Sequence, residues 1–251
     1  MTSSRVAIVT GAGRGIGAAT ASRLAADGAA VAVLDLDAGA AADTVGRIRA
    51  AGGTACAVVA DVSDPDQVKG ALATVEAELG PPVILVNNAG VIRDRPMEEL
   101  SLDDWSTVVD VNLRGPFLMC QAIRVHLLEQ GWGRIVNFSS SSALGNRDQA
   151  NYSAAKAGIE GLTRTLAIEL GPYGVTVNAV APGYIVTDMT RRTAERMGMD
   201  FTRLQQMVAA QTPVRRVGQP EDVANAVAFL VGEDAGFVSG HTLYITGGPM
   251  R

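Results

Sequence analysis

The chain has 251 residues, 47% of them hydrophobic and 19% charged, a composition that buries a sizeable core and excludes a disordered polymer. Its net charge is −5 and its 21 Lys and Arg are scattered, so no basic run exists to neutralise a row of phosphates and nucleic acid is not expected as a partner. No apolar stretch reaches the roughly 18 residues that a bilayer crossing needs, and Met1 to Val6 lacks the apolar region and cleavage site of a secretory leader, so a cytoplasmic, single-domain protein over 1–251 is expected.

In chain order, Val- and Ile-rich runs at 5–9, 30–34, 54–59, 83–86, 134–138, 174–180 and 242–246 read as strands. Between them, stretches of helical period at 15–27, 38–51, 65–79, 103–130, 151–171, 203–212 and 220–232 read as helices, several opened by a capping Asp or Ser. The alternation predicts an α/β fold, a single-domain doubly wound (Rossmann) parallel sheet of about seven strands with helices on both faces. Ligands of such sheets bind beyond the carboxyl ends of the strands. The stretch 183–202 shows no clear element, and 183–213 is expected to form a substrate lid whose Met189, Met197, Met199 and Phe201 suit an apolar substrate body. Cys56 falls in a strand and Cys120 in a helix, both expected as buried thiols. His126 and His241 are far apart with no ligand pattern around them, so neither a metal site nor a Ser-His-Asp triad is expected.

Three groups of residues carry chemistry. Thr10-Gly11-Ala12-Gly13-Arg14-Gly15-Ile16-Gly17 follows the first strand and opens the first helix, where glycines let backbone approach a pyrophosphate held at the helix N-terminus. Asp35 ends the second strand 18 residues after Gly17, where a carboxylate accepts from adenosine ribose hydroxyls and repels a 2′-phosphate. Arg14 is the counter-signal, since a guanidinium pairs with phosphate, so NAD(H) is favoured and NADP(H) stays open. Tyr152 and Lys156 stand i,i+4 on one helix face, where a cation lowers the phenol's pKa toward a working acid/base range. The hydroxyl run Ser139 to Ser142, at the end of the fifth strand, is placed to hydrogen-bond a substrate carbonyl. Taken alone, these features have plain structural readings: a steric glycine turn, a capping Asp, a surface Tyr/Lys pair, a loop of serines.

Taken together, the sequence resembles the short-chain dehydrogenase/reductase family over essentially its whole length. The resemblance runs through TGAGRGIG at 10–17, Asp61-Val62, NNAG at 87–90, Asn112, the serines at 139–142, YSAAK at 152–156 and PGYIVTD at 182–188. It is most similar to the 3-oxoacyl-acyl-carrier-protein reductase type, in QANYSAAKAG, TVNAVAPGYIVTDMT and EDVANAVAFL. The resemblance implies that Tyr152 is the general acid/base, and that Lys156 lowers its pKa and holds the nicotinamide ribose. It implies that Asn112 interrupts its helix to place a water in a proton relay. Anchoring on GRIVNFSS makes Ser140 the carbonyl-polarising serine, whereas the usual interval of 13 residues before the tyrosine makes it Ser139; we take Ser140.

For the cofactor, the resemblance implies Gly11, Arg14, Gly15, Ile16, Gly17 and Asp35 around the adenosine diphosphate and Asp61 and Val62 at the adenine. It places Asn88, Ala89 and Gly90 along the dinucleotide, and Pro182, Gly183, Ile185 and Thr187 at the nicotinamide. It also implies a homotetramer built through 103–130, 151–171 and the C-terminal strand. Three departures are visible. Segments 127–133 and 169–174 are basic-poor for docking an acyl carrier protein, 183–213 is longer than in that subgroup, and Thr246-Gly247-Gly248 replaces Asp-Gly-Gly. The expected activity interconverts a secondary alcohol and a ketone, on a 3-oxoacyl thioester or a hydrophobic ketone or alcohol. The rival readings are a non-catalytic dinucleotide-binding regulator and a flavodoxin-like flavin binder, the latter leaving Asp35 and the Tyr/Lys pair unexplained.

Overall fold

A computed structural model describes residues 5–249; the segment 1–4, on which the reading of a missing leader partly rests, lies outside the described residues. Seven parallel strands form one sheet: β1 (Val6–Thr10), β2 (Ala30–Asp35), β3 (Thr54–Val59), β4 (Pro82–Asn87), β5 (Gly133–Phe138), β6 (Val175–Pro182) and β7 (Thr242–Ile245). β1, β4, β5 and β6 are buried along their whole length, which is why they read as continuous apolar runs, whereas the edge strand β3 leaves Thr54, Ala57 and Val59 exposed. The spatial order is β3-β2-β1-β4-β5-β6-β7. The chain therefore winds outward in both directions from β1 and β4, and the reversal leaves a crevice above their carboxyl ends.

Helices α1 (Gly15–Ala26), α2 (Ala38–Ala50) and α9 (Pro220–Val231) form one layer, with α1 packed against both others. Helices α3 (Pro65–Leu79), α4 (Leu102–Val109), α5 (Gly115–Gln130) and α6 (Ala150–Leu170) form the other. Asp37, Asp64 and Ser101 cap α2, α3 and α4 by accepting from backbone N–H groups of their first turns, and Pro65 occupies the first position of α3, where a missing N–H costs nothing. Both cysteines are buried and free, and burial pushes their thiols up to about 11 for Cys56 and about 12 for Cys120. Among the described residues no helix is long and apolar enough to cross a membrane.

Two sequence expectations need correction. The stretch 103–130 is not one helix: a π-helical turn at Asp110–Arg114 separates α4 from α5. The stretch 183–202 is not irregular, because α7 (Asp188–Arg196) forms there and α8 (Phe201–Gln211) follows. Thr187 starts α7 by a reciprocal pair of bonds, its hydroxyl accepting from the Thr190 N–H and its own N–H donating to the Thr190 hydroxyl. The Thr190 hydroxyl replaces the usual Glu or Gln in that motif, so the signal is weak in the sequence.

Candidate active site

The carboxyl ends of the central strands open into one cavity of about 690 Å³. At the end nearest α1, the glycine turn lets backbone pack on backbone: a Cβ on Gly17 would lie 2.1 Å from the Gly11 carbonyl oxygen. Asn88 braces the turn, its side-chain amide donating to the carbonyl oxygens of Thr10 at 2.9 Å and Gly11 at 3.0 Å. The Thr10 hydroxyl accepts in return from the N–H groups of Asn88 and Ala89. The N-terminus of α1 carries no side-chain cap and no acidic residue in its first turn, which leaves its N–H groups and partial positive charge available to an anion.

The outer end of the cavity is acidic. Asp35, at the tip of β2, accepts from the N–H of Gly13 at 2.8 Å and of Asp37 at 3.0 Å. Asp37 is held below the usual carboxylate range, first by the Ala40 N–H and then by Arg14, whose guanidinium it pairs. Asp61 accepts from the backbone and hydroxyl of Ser63 and lines the same end beside Val62. Arg14, the cation that spoke for a phosphorylated ribose, is thus engaged by a carboxylate.

At the inner end stand Tyr152 and Lys156, one turn apart on α6. The Lys156 ammonium lies 5.4 Å from the centre of the Tyr152 ring and donates to the Phe138 carbonyl at 2.7 Å. Burial pushes Lys156 down to about 7. Burial also pushes Tyr152 up to about 12, helped by the charge of Asp94 and opposed by a bond from Ser140. The expected lowering of the phenol by Lys156 is not seen in this state, because the ammonium is turned to the strand carbonyl and desolvation dominates. Both candidate serines line the cavity, but their hydroxyls have different partners. Ser140 lies against the Tyr152 phenol, its Oγ accepting from the Ser142 N–H, while Ser139 is buried and its hydroxyl points away, to α6.

Asn112 sits in the π turn, fully buried behind Gly90. Its amide nitrogen donates to the carbonyl oxygens of Val108 and Val91, both at 2.9 Å, and its Oδ1 has no partner. A Cβ on Gly90 would lie 2.7 Å from that Oδ1 and 3.7 Å from Lys156 Nζ, so glycine keeps open the space between them. An orphaned acceptor facing a buried amine is a natural place for a bridging hydrogen-bond group.

Gly11, Arg14, Gly15, Ile16, Gly17, Asp35, Asp61, Val62, Asn88, Ala89, Gly90, Pro182, Gly183, Ile185 and Thr187 all line the cavity with Ser140, Tyr152 and Lys156. Of the four apolar residues expected in the lid, only Met189 lines it, because the cavity-facing side of α7 carries Met189, Arg192 and Arg196, while Met197 and Met199 belong to the connection beyond and Phe201 opens α8. The mouth was not foreseen in the sequence. Arg196 reaches across it to Asp94 at 3.0 Å, and Asp94 also accepts from the Gln149 side chain. Asn151, fully buried, holds the same loop by donating to the Arg93 carbonyl. The i,i+4 spacing of Arg192 and Arg196 was the available signal. Thr246 packs on Gly183, with its hydroxyl donating to the Gly248 carbonyl. Among the described residues no cluster of His, Cys, Asp or Glu is arranged to hold a metal.

Comparison with known proteins accords with the resemblance. The family model described as enoyl-(acyl carrier protein) reductase matches residues 11–249. The short-chain reductase protein NovJ of Streptomyces niveus is 48% identical over 243 residues, covering 97% of this chain and 93% of that protein. A 3-oxoacyl-[acyl-carrier-protein] reductase of Synechocystis is 44% identical, covering 97% and 96%. Among solved structures, a gluconate 5-dehydrogenase from Burkholderia cenocepacia in complex with NADP and tartrate superposes with a TM-score of 0.89 at 36% identity, covering 97% of this chain and 94% of that one. The uncapped helix, the glycine cradle and the Tyr152/Lys156 pair lie on a chain that belongs to the short-chain dehydrogenase/reductase family of NAD(P)-binding oxidoreductases acting on CH-OH groups.

Proposed function

We propose that the protein is an NAD(H)-dependent ketone reductase and alcohol dehydrogenase in which Tyr152 is the general acid/base. One observation carries the reading: Ser140, Tyr152 and Lys156 meet at the inner end of a cavity whose phosphate end is an uncapped helix over a glycine turn. Gly11 to Gly17 and Asn88 to Gly90 would hold the dinucleotide, Asp61 and Val62 the adenine, and Pro182, Gly183, Ile185 and Thr187 the nicotinamide. When bound, the nicotinamide supplies or accepts a hydride. The protein moves the proton. A phenol held up to about 12 is protonated at neutral pH, so in reduction Tyr152 gives its proton to the substrate oxygen while the Ser140 hydroxyl steadies the charge there. Lys156, at about 7, exchanges protons near neutrality and restores the phenol, with the free Oδ1 of Asn112 as the next acceptor inward. In oxidation the same steps reverse.

Asp35, Asp37 and Asp61 at the ribose end favour NAD(H), because a 2′-phosphate there meets carboxylates while Arg14 is already paired. A 3-oxoacyl thioester or a hydrophobic ketone fits Val91, Ile92 and Met189 at the inner end. The non-catalytic reading gains nothing from this geometry. Exposed Phe117, Val125, Ile168 and Leu243 on α5, α6 and β7 support the homotetramer, which a monomeric mass by light scattering would refute.

The test follows NADH and NADPH oxidation at near-ultraviolet wavelengths against hydrophobic ketones and a 3-oxoacyl thioester, with Tyr152→Phe alongside. Turnover with NADH is expected to vanish in the variant, while NADH binding, read by fluorescence, stays. Unchanged turnover in the variant would sink the mechanism.

A further inference from the structure

α6 carries a carboxylate that the chemistry above leaves unused. Glu160 stands one turn beyond Lys156, on the same face as Tyr152 and Lys156. Its Oε1 accepts from the Ser139 hydroxyl at 3.0 Å and from the Tyr244 hydroxyl at 3.3 Å. Three elements therefore meet at one oxygen: α6, the end of β5 and the edge strand β7. The Ser139 hydroxyl has one proton and two acceptors, Glu160 and the Lys156 carbonyl at 3.1 Å, while its N–H donates to the Val180 carbonyl at 2.8 Å. The charge of Arg164, one turn further along α6, opposes the upward push that burial and Glu160 give the Tyr244 phenol.

What matters is where Ser139 lies in the chain. On one side is Phe138, whose carbonyl takes the Lys156 ammonium; on the other is Ser140, which lies against the Tyr152 phenol. Fixing residue 139 restrains both neighbours relative to α6, since Phe138 is paired with Val180 in the sheet and the Ser140 hydroxyl is held by the Ser142 N–H.

We propose that Glu160 is a positioning residue for the reaction, tying Ser139 and Tyr244 to α6 so that the end of β5 holds Ser140 on Tyr152 and the Phe138 carbonyl on Lys156. The inference rests on the Tyr152 reading. Glu160 acts through the two groups it holds and touches no reacting atom. An amide carbonyl accepts hydrogen bonds as a carboxylate does, so Glu160→Gln keeps the tie and Glu160→Leu removes it.

The experiment compares wild type, Glu160→Gln and Glu160→Leu in both directions, with the pH dependence of kcat for alcohol oxidation. A misplacement of about 1 Å at a reacting group lowers rates by up to about 100-fold, so Glu160→Leu is expected to lose about tenfold or more in kcat with the ketone KM changed less than about threefold. Its rising limb, where Tyr152 must lose its proton, should move to higher pH, because a Ser140 hydroxyl less firmly held on Tyr152 stabilises the phenolate less. Glu160→Gln should recover most of the rate and the wild-type limb. If Glu160→Leu fails to fold, Tyr244→Phe and Ser139→Ala carry the test, each expected to lose kcat several-fold with NADH binding intact. Wild type that turns over beside a Glu160→Leu enzyme of equal kcat and pH profile overturns the inference. So does a Gln variant as impaired as the Leu one, or unchanged kcat in both Tyr244→Phe and Ser139→Ala. A wild type inactive with every substrate and both cofactors overturns the Tyr152 reading first, and this one with it.

Discussion

Replacing Lys156 by Met should abolish turnover and at the same time make the cofactor-free protein harder to unfold. Burial alone brings this ammonium from its ordinary 10.5 to about 7. At 1.36 kcal/mol per pH unit, keeping it charged inside the fold costs about 5 kcal/mol below pH 7. The amine returns part of that through its 2.7 Å bond to the Phe138 carbonyl, and leaving that carbonyl unpartnered costs about 1–3 kcal/mol. An unbranched Met of similar length fills the space, so the net gain is about 2–4 kcal/mol, or roughly 4–16 °C in midpoint for a chain of this length. The sign with pH follows from a base whose folded value is depressed. Below about 7 the lysine is charged in both states and the penalty is complete; above that the folded state sheds its proton while the unfolded chain keeps it until about 10.5, so wild type recovers about 1.4 kcal/mol per pH unit across that window. Denaturant titrations without NAD(H) at pH 6, 7, 8.5 and 10 read this directly. A Met variant less stable than wild type at pH 6, or an advantage that does not shrink between pH 7 and 10, would refute the argument that burial sets the lysine's charge.

Two further perturbations address the cofactor. Gly17→Ala puts a methyl 2.1 Å from the Gly11 carbonyl oxygen, so the turn must open, and NADH affinity measured by fluorescence titration should fall at least about tenfold; a wild-type Kd would show that the turn does not hold the pyrophosphate. Asp35→Ser removes one carboxylate from the ribose end and should raise the ratio of kcat/KM for NADPH over NADH by about tenfold or more. A wild type that already prefers NADPH would overturn the assignment of Asp35.

The parts of this molecule legible in the sequence are those compressed into contiguous stretches. The buried strands announced themselves as runs such as Val31 to Leu34, and Tyr152 and Lys156 share a face because a helix fixes their spacing regardless of surroundings. The parts that were not legible depend on partners distant in the chain. Whether Ser139 or Ser140 faces the phenol is decided by Lys156 and Glu160 on α6, which draw the Ser139 hydroxyl away. The engagement of Arg14 is decided by Asp37, across the turn from β2. The polar α7 offered no apolar period to read, and its start depends on a threonine pair. Lys156 illustrates the same limit from the chemical side: spacing put the ammonium near the phenol, but only the fold shows that the Phe138 carbonyl competes for it.

The π turn at Asp110–Arg114 acts as a phase shift between two helices. An ordinary helix advances about 100° per residue, and a π turn takes up one residue more than its neighbours. That surplus lets Asn112 point behind Gly90 while α5 still delivers Met119, Cys120, Ile123 and Leu127 to the core. Excising any one residue from 110–114 would give smoother winding and a more regular hydrogen-bond ladder, yet it would force a choice. Either the asparagine swings away from Lys156, or the apolar stripe of α5 turns off the sheet. Point changes on the solvent side of this junction leave that phase alone, whereas insertions and deletions cannot, so the number of residues here is as much a component of the proposed proton path as the asparagine itself.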